Sequence, residues 1–259
     1  MSSGATTWTE PRRWRRPVLV GLTGLIVALG VAIGVARYGA YVRADQVGID
    51  LSLFRTFAER WLETGSMYTP AQLAGPFDPQ PEGLRPFTTV PALYPPPTIL
   101  LFLPFLWLPA PLWWILPIGF LAFALWRLHP SDWVWPVMAL ALLSPEVPSM
   151  LISGSTNLWI AAFLAGALLY SWPGVLILIK PSLLPLALVG IRHRPWWIAF
   201  AIWCAVSIVM LGQWQAYLTV MQNIQAGPLF GIGALPLLLV PVVAWFARDR
   251  ARDRRPATS

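Results

Sequence analysis

Apolar and polar positions separate along this chain into long blocks. An uncharged run at residues 17–36 follows an arginine-rich lead and matches the ~20 residues that cross a ~30 Å hydrocarbon core at 1.5 Å per residue. A signal peptide would have a shorter core; cleavage near Ala40 is conceivable in "VAIGVARYGAYVRA", but the length fits a retained helix better. Seven further apolar blocks lie at 97–109, 112–126, 133–152, 158–172, 174–191, 196–212 and 229–247. Tryptophans sit at or near their ends (Trp107, Trp113, Trp126, Trp133, Trp159, Trp172, Trp196, Trp245), where an aromatic belt meets headgroups.

Two stretches change period. In "DLSLFRTFAERWLETG", Leu51, Phe54, Ala58, Trp61 and Leu62 recur at helical spacing, with Arg55, Glu59, Arg60 and Glu63 on the other face. Asp50 stands at the N-cap position and Gly65 at the stop, so an amphipathic helix is expected along the outer membrane surface. "GQWQAYLTVMQNIQAG" predicts a second external helix, with Trp214, Tyr217, Leu218, Met221 and Ile224 on one face. Between Gly75 and Pro97, "GPFDPQPEGLRPFTTVPALYPPP" is too rich in proline and glycine for regular structure and reads as a loop over a site. Its three closing prolines favour a stiff polyproline II lead that holds Tyr94 at the interface, with Thr98 opening a helix. Tyr94 is equally readable as an ordinary belt aromatic.

Composition sharpens this pattern. Of 259 residues, 57% are hydrophobic and 11% charged, with a mean hydropathy of +0.62, which excludes an ordinary soluble domain. The net charge of +7 carries no argument for nucleic acid, because arginines cluster before the first block (Arg12, Arg13, Arg15, Arg16) and after the last (Arg248, Arg250, Arg252, Arg254, Arg255). Both termini are then expected in the cytoplasm, and Arg192 and Arg194 fall on the same side of an eight-span chain. The expected fold is an all-α polytopic membrane bundle of about eight transmembrane helices with an external amphipathic helix. It forms one transmembrane domain, 17–247, between basic tails 1–16 and 248–259. Loop 37–92 would lie outside, with six of the eleven acids: Asp45, Asp50, Glu59, Glu63, Asp78 and Glu82.

Lys180 is the single lysine among eighteen basic residues and sits inside an apolar block, "GVLILIKPSLLPLALVG". An ammonium at depth costs ~2.5–3.5 kcal/mol on insertion scales, so such a group faces a cavity, a partner or an anionic ligand. Pro181 and Pro185 permit irregular backbone where it lines a cavity, and phosphate binding is the functional reading. Snorkelling to an interface, or pairing with Glu146 in "SPEVPSM", are the structural ones. Asp50 reads as a helix cap or as a carboxylate that deprotonates a hydroxyl acceptor, roles that can coexist; Asp45 is the reserve candidate. His129 and His193 lack ligand spacing and Cys204 is alone, so no metal site and no disulfide are expected. No phosphate-cradling Gly-rich motif is present.

The order of these pieces resembles the polyprenol-phosphate-dependent GT-C glycosyltransferases, specifically the mannosyltransferase-like family 87, formerly a domain of unknown function. "DLSLF...ERWLETGSMY" is similar to the family's aspartate, amphipathic helix and G-x-x-Y turn; "LYPPPTILLFLPFLWLP" to its Tyr-Pro-Pro start and following span; "GSTNLWIAAFLAGALL" to its Gly-Gln-x-Asn segment; "IKPSLLPLALVGIRHRPWW" to its Lys-x-x-Pro span. The resemblance covers about residues 50–197. It implies inverting transfer of a sugar from a polyprenyl-phosphate donor to a glycolipid or cell-envelope glycan acceptor on the outer face of a bacterial-type plasma membrane, with membrane lipids as the surroundings and no further cofactor. Asp50 would be the general base, Lys180 would neutralise the departing phosphate, and Tyr94 would shape the donor entrance. Two departures stand out: the family's Gln is Ser155 here, and the interval from Asn157 to Lys180 is shortened. Block counting also sends residues 154–157 to the cytoplasmic side, away from Asp50, so no site role is carried onto Asn157. The alternative reading is a non-catalytic membrane protein, a lipid-linked-sugar transporter or an assembly partner.

Overall fold

A computed structural model describes residues 12–77, 90–225 and 232–248, with side chains from residue 16. Outside them lie the middle of the proline-rich loop with Asp78 and Glu82, the start of the last apolar block, and most of both basic tails. The described chain is helical throughout, its only extended pairings being isolated bridges at Phe77–Ile224 and Pro130–Arg248. Its helices are α1 (Arg12–Arg43), α2 (Ile49–Thr64), α3 (Pro70–Ala74), α4 (Ile99–Phe102), α5 (Leu112–Leu128), α6 (Val134–Ala139), α7 (Glu146–Ser153), α8 (Asn157–Tyr170), α9 (Leu184–Ala187), α10 (Arg194–Val209), α11 (Leu211–Asn223) and α12 (Leu235–Phe246). Short 3₁₀ turns join several of them.

Among the described residues one helix, Arg16–Arg43, is long and apolar enough to cross a membrane alone, or up to three spans result if each bent pair counts as one. The other apolar blocks are shorter or broken, each for a local reason. Block 133–152 bends by 70° between Leu143 and Glu146, where Pro145 and Pro148 interrupt the backbone ladder. Block 97–109 is not a continuous helix: α4 gives way to a 3₁₀ stretch at Pro104. It lies along α2, because Arg55 donates from Nε to the Phe105 carbonyl at 2.8 Å and from Nη2 to that of Leu108 at 3.2 Å. Block 174–191 is a hairpin rather than a span. Trp172–Ile179 is 3₁₀, Lys180 turns with φ −130° and ψ 86°, and Pro181–Leu183 and α9 return. A Cβ on Gly174 would stand 2.6 Å from the Val189 carbonyl oxygen, and one on Gly190 2.6 Å from Ser171 Cβ, so the two arms are in contact and begin and end together. Lys180 is at the tip.

The bundle therefore has two distinct ends. At one, Arg16 meets Asp132 at 3.4 Å, Ser131 donates to the Ala247 carbonyl, and Ser171, Gly190, His193 and Trp245 surround a common recess. The other end gathers the start of α2, Tyr94, the start of α5, the turn before α8, Lys180 and α11. Between them α8 is apolar all round and buried at Leu158, Ile160, Ala161, Leu164 and Ala165, as a helix at the centre of a bundle must be. α1 packs from outside, where Gly30 allows close approach to Leu142, and leaves most of its apolar surface exposed.

The amphipathic helices form where expected, with changes in their faces. α2 ends at Gly65, whose φ of 74° and N–H to the Trp61 carbonyl make the expected stop. Its packed face includes Phe57, while Leu62 is 56% exposed. α11 buries Tyr217 and Val220, and Leu218 faces outward instead. The helix α3 was not anticipated, although Thr69-Pro70-Ala71-Gln72 spells it: Thr69 and Gln72 cap each other reciprocally and Pro70 occupies the first turn.

Candidate functional site

The position of Asp50 follows from how α2 begins. Gly48, in the left-handed region with φ 68°, precedes the helix and donates its N–H to the Ile152 carbonyl at 2.9 Å. Asp50 is thus in the first turn and is not the cap the sequence suggested; no side chain caps this helix. Its carboxylate accepts instead from Ser153 Oγ at 2.7 Å. Phe54, one turn on, anchors the helix by stacking on Phe102 at 4.5 Å and by contact with Trp113 at 5.3 Å; such pairs each contribute about 0.5–1.5 kcal/mol beyond area burial.

Of the three prolines before Thr98, only Pro95 is in the polyproline II region, with φ −66° and ψ 154°; Pro96 and Pro97 already open the 3₁₀ turn. Thr98 lies within that turn and donates its hydroxyl to the Ile179 carbonyl at 3.3 Å, tying this strap to the lysine hairpin. Tyr94 is held from three directions. Its carbonyl accepts from Tyr68 Oη at 2.8 Å, its ring meets Phe54 and Phe102 edge-on, and its hydroxyl pairs with Thr156 Oγ1 at 3.2 Å.

Lys180 does not pair with Glu146, which stands instead beside Gly233. Its Nζ donates to Asn157 Oδ1 at 2.9 Å. Asp50 and Lys180 face each other across the site without a direct ion pair.

Asp50, Tyr94 and Lys180 line one cavity of about 530 Å³. Its remaining walls are mostly apolar, with Phe57 and Leu53 from α2, Leu93 from the strap, Ile179 from the hairpin, and Tyr217 and Met221 from α11. Asp45, the reserve candidate, is exposed on the turn before α2 with φ 53° and is not part of this wall. His129 and His193 lie at the opposite end of the bundle, and no group of three metal-ligating side chains occurs among the described residues.

Electrostatics suit proton transfer. Burial pushes the Asp50 carboxyl above the usual carboxylate range, opposed by the Ser153 hydrogen bond and by the positive charge of Lys180. Burial raises the Tyr94 phenol as well, so it remains protonated and available as a donor. The arrangement offers a base of enhanced proton affinity, a cation and a phenol around one apolar chamber.

The polar residues serving this site come from the turn that block counting sent to the other side. Ser153, Thr156 and Asn157 reach Asp50, Tyr94 and Lys180 respectively. The expectation that this turn lies away from Asp50 is overturned by these contacts; the block count treats 97–109 as a crossing, whereas that block is short, broken at Pro104 and laid along α2. The signal available was the run "SGSTN", five non-apolar residues between apolar blocks. No protein-family model, curated protein or solved structure matches the chain.

Proposed function

We propose that this chain is an inverting membrane glycosyltransferase that moves a sugar, by the family resemblance mannose, from a polyprenyl-phosphate donor to a glycolipid or cell-envelope glycan. The observation that carries this reading is the meeting of Asp50, Tyr94 and Lys180 on one largely apolar cavity. The acceptor hydroxyl attacks the anomeric carbon while the bond from that carbon to the phosphate oxygen breaks. The hydroxyl proton passes to the Asp50 carboxylate, and the electron pair leaves with polyprenyl phosphate. Charge on that phosphate grows towards the transition state, where the Lys180 ammonium stabilises it in a site of lowered dielectric. Tyr94 forms a rigid wall at the donor entrance.

In this reading α1, α5, the bent pair α6–α7, α8, α10 and α12 cross the membrane, while block 97–109 and the lysine hairpin dip in from opposite faces. An even number of crossings leaves both arginine-rich ends in the cytoplasm and the site on the outer face of a bacterial-type plasma membrane. The contacts at the two ends of the bundle support that alternation, and backbone irregularity at Lys180 is tolerated because it borders a cavity and not lipid.

The test is transfer of label from radioactive polyprenyl-phosphate sugars to an envelope lipid extract by purified protein in lipid. Labelled product supports the proposal. Passage of labelled lipid across the vesicle bilayer without product assigns the chain to lipid-linked-sugar transport instead.

A further inference from the structure

We infer that the turn of residues 153–157 is the positioning element of this site: Ser153 holds the Asp50 carboxylate and Asn157 holds the Lys180 ammonium, each through one hydrogen bond. The roles of the held groups rest on the transferase reading; the holding itself does not. Three side chains of this turn reach three groups carried by three separate segments, at 2.7, 3.2 and 2.9 Å. The polarity is matched at each charged contact. A hydroxyl donates to the anion, and an amide oxygen accepts from the cation.

The turn is itself fixed from behind. Gly154, with φ 82°, ends α7 by donating to the Met150 carbonyl at 3.1 Å, and Ser155 donates to the same carbonyl at 2.9 Å. Trp113 Nε1 donates to the Gly154 carbonyl at 2.7 Å, and Trp114 Nε1 to that of Leu151 at 2.6 Å. Two indoles on α5 thus set the height of the turn, and the turn sets where base and cation sit relative to the chamber. A serine in this place stabilises the ionised carboxylate against its burial. The ionisable groups facing Asp50 around the cavity, among the described residues, are Lys180 on the hairpin, Tyr94 on the strap and Tyr217 on α11.

The experiment is an infrared titration of the Asp50 carboxyl in lipid without substrate, the band being identified by its loss in Asp50→Asn. Removal of the donor in Ser153→Ala is expected to raise the titration midpoint by about one pH unit, and Ser153→Thr to restore it. Ser153→Cys, which nearly keeps the volume and weakens the donor, is expected to move it in the same direction by less. In parallel, Asn157→Asp places a carboxylate on Lys180 and is expected to weaken binding of polyprenyl phosphate at least ~10-fold. An unchanged midpoint in both the Ala and Cys variants, or undiminished polyprenyl phosphate binding by Asn157→Asp, overturns the inference. A wild-type protein that titrates and shifts as stated yet transfers no sugar overturns the proposed function and leaves the positioning role standing.

Discussion

Lys180 Nζ donates to Asn157 Oδ1 at 2.9 Å, although counting apolar blocks as straight spans places Asn157 on the far side from Asp50. The contact exists because the lysine is at the tip of a hairpin and Asn157 opens the central helix α8 at the same end. An ammonium with one neutral acceptor and an open cavity beside it is poised for an anion in a way that a lysine locked to a carboxylate is not.

Asp50→Asn is expected to stabilise the fold at neutral pH. Burial makes the native state bind a proton more tightly than the unfolded chain does, so stability falls as pH rises from the ordinary carboxylate value through the raised one, and the deficit is complete above it. Asparagine never ionises and still accepts from Ser153. The unfolding midpoint of the variant in lipid or detergent should exceed wild type at neutral pH and converge with it below about pH 3.

Gly154→Ala is expected to cost about 1–3 kcal/mol. The backbone there has φ 82°, and a Cβ would meet Trp114 Cζ2 at 3.0 Å and Trp113 Nε1 at 3.4 Å. Thermal unfolding should register the loss. Because the indoles that would be pushed also fix the site turn, sugar transfer should decline together with stability.

Much of this arrangement was readable beforehand where side-chain chemistry alone decides it. The period of α2 and its stop at Gly65 depend on local pattern and appear where expected, whereas the proline strap is extended only at Pro95 and Lys180 stands at the tip of a hairpin and not inside a span. Of the two roles read for Asp50, the cap is not realised, because the choice between a side-chain cap and a left-handed glycine two residues earlier turns on backbone geometry that the local sequence leaves open. Ser153 and Thr156 carry no sequence signal of their own, and a site role is withheld from Asn157 for a different reason. Apolar length does not distinguish a straight span from a segment such as 97–109, which breaks at Pro104 and folds along α2, and one such error upstream reverses the side that the count assigns to residues 153–157.

Tyr94→Phe and Tyr94→Ala should separate the hydroxyl from the ring. The first removes one hydrogen bond to Thr156 and is expected to cost about 0.5–1.5 kcal/mol, leaving the wall intact. The second removes the edge contacts to Phe54 and Phe102 as well and is expected to cost about 3 kcal/mol. Unfolding midpoints check the order, and in a transfer assay only the alanine variant should lose most donor discrimination.

The central claim assigns proton removal to Asp50 and phosphate neutralisation to Lys180. Donor affinity and single-turnover transfer rate, measured together on Asp50→Asn and Lys180→Met, test that division most directly. The account predicts that Asp50→Asn binds polyprenyl-phosphate sugar as wild type does but transfers it at least ~100-fold more slowly, while Lys180→Met loses at least ~10-fold in donor affinity as well as rate. Transfer by Asp50→Asn at the wild-type rate, or unaltered donor binding by Lys180→Met, would contradict it.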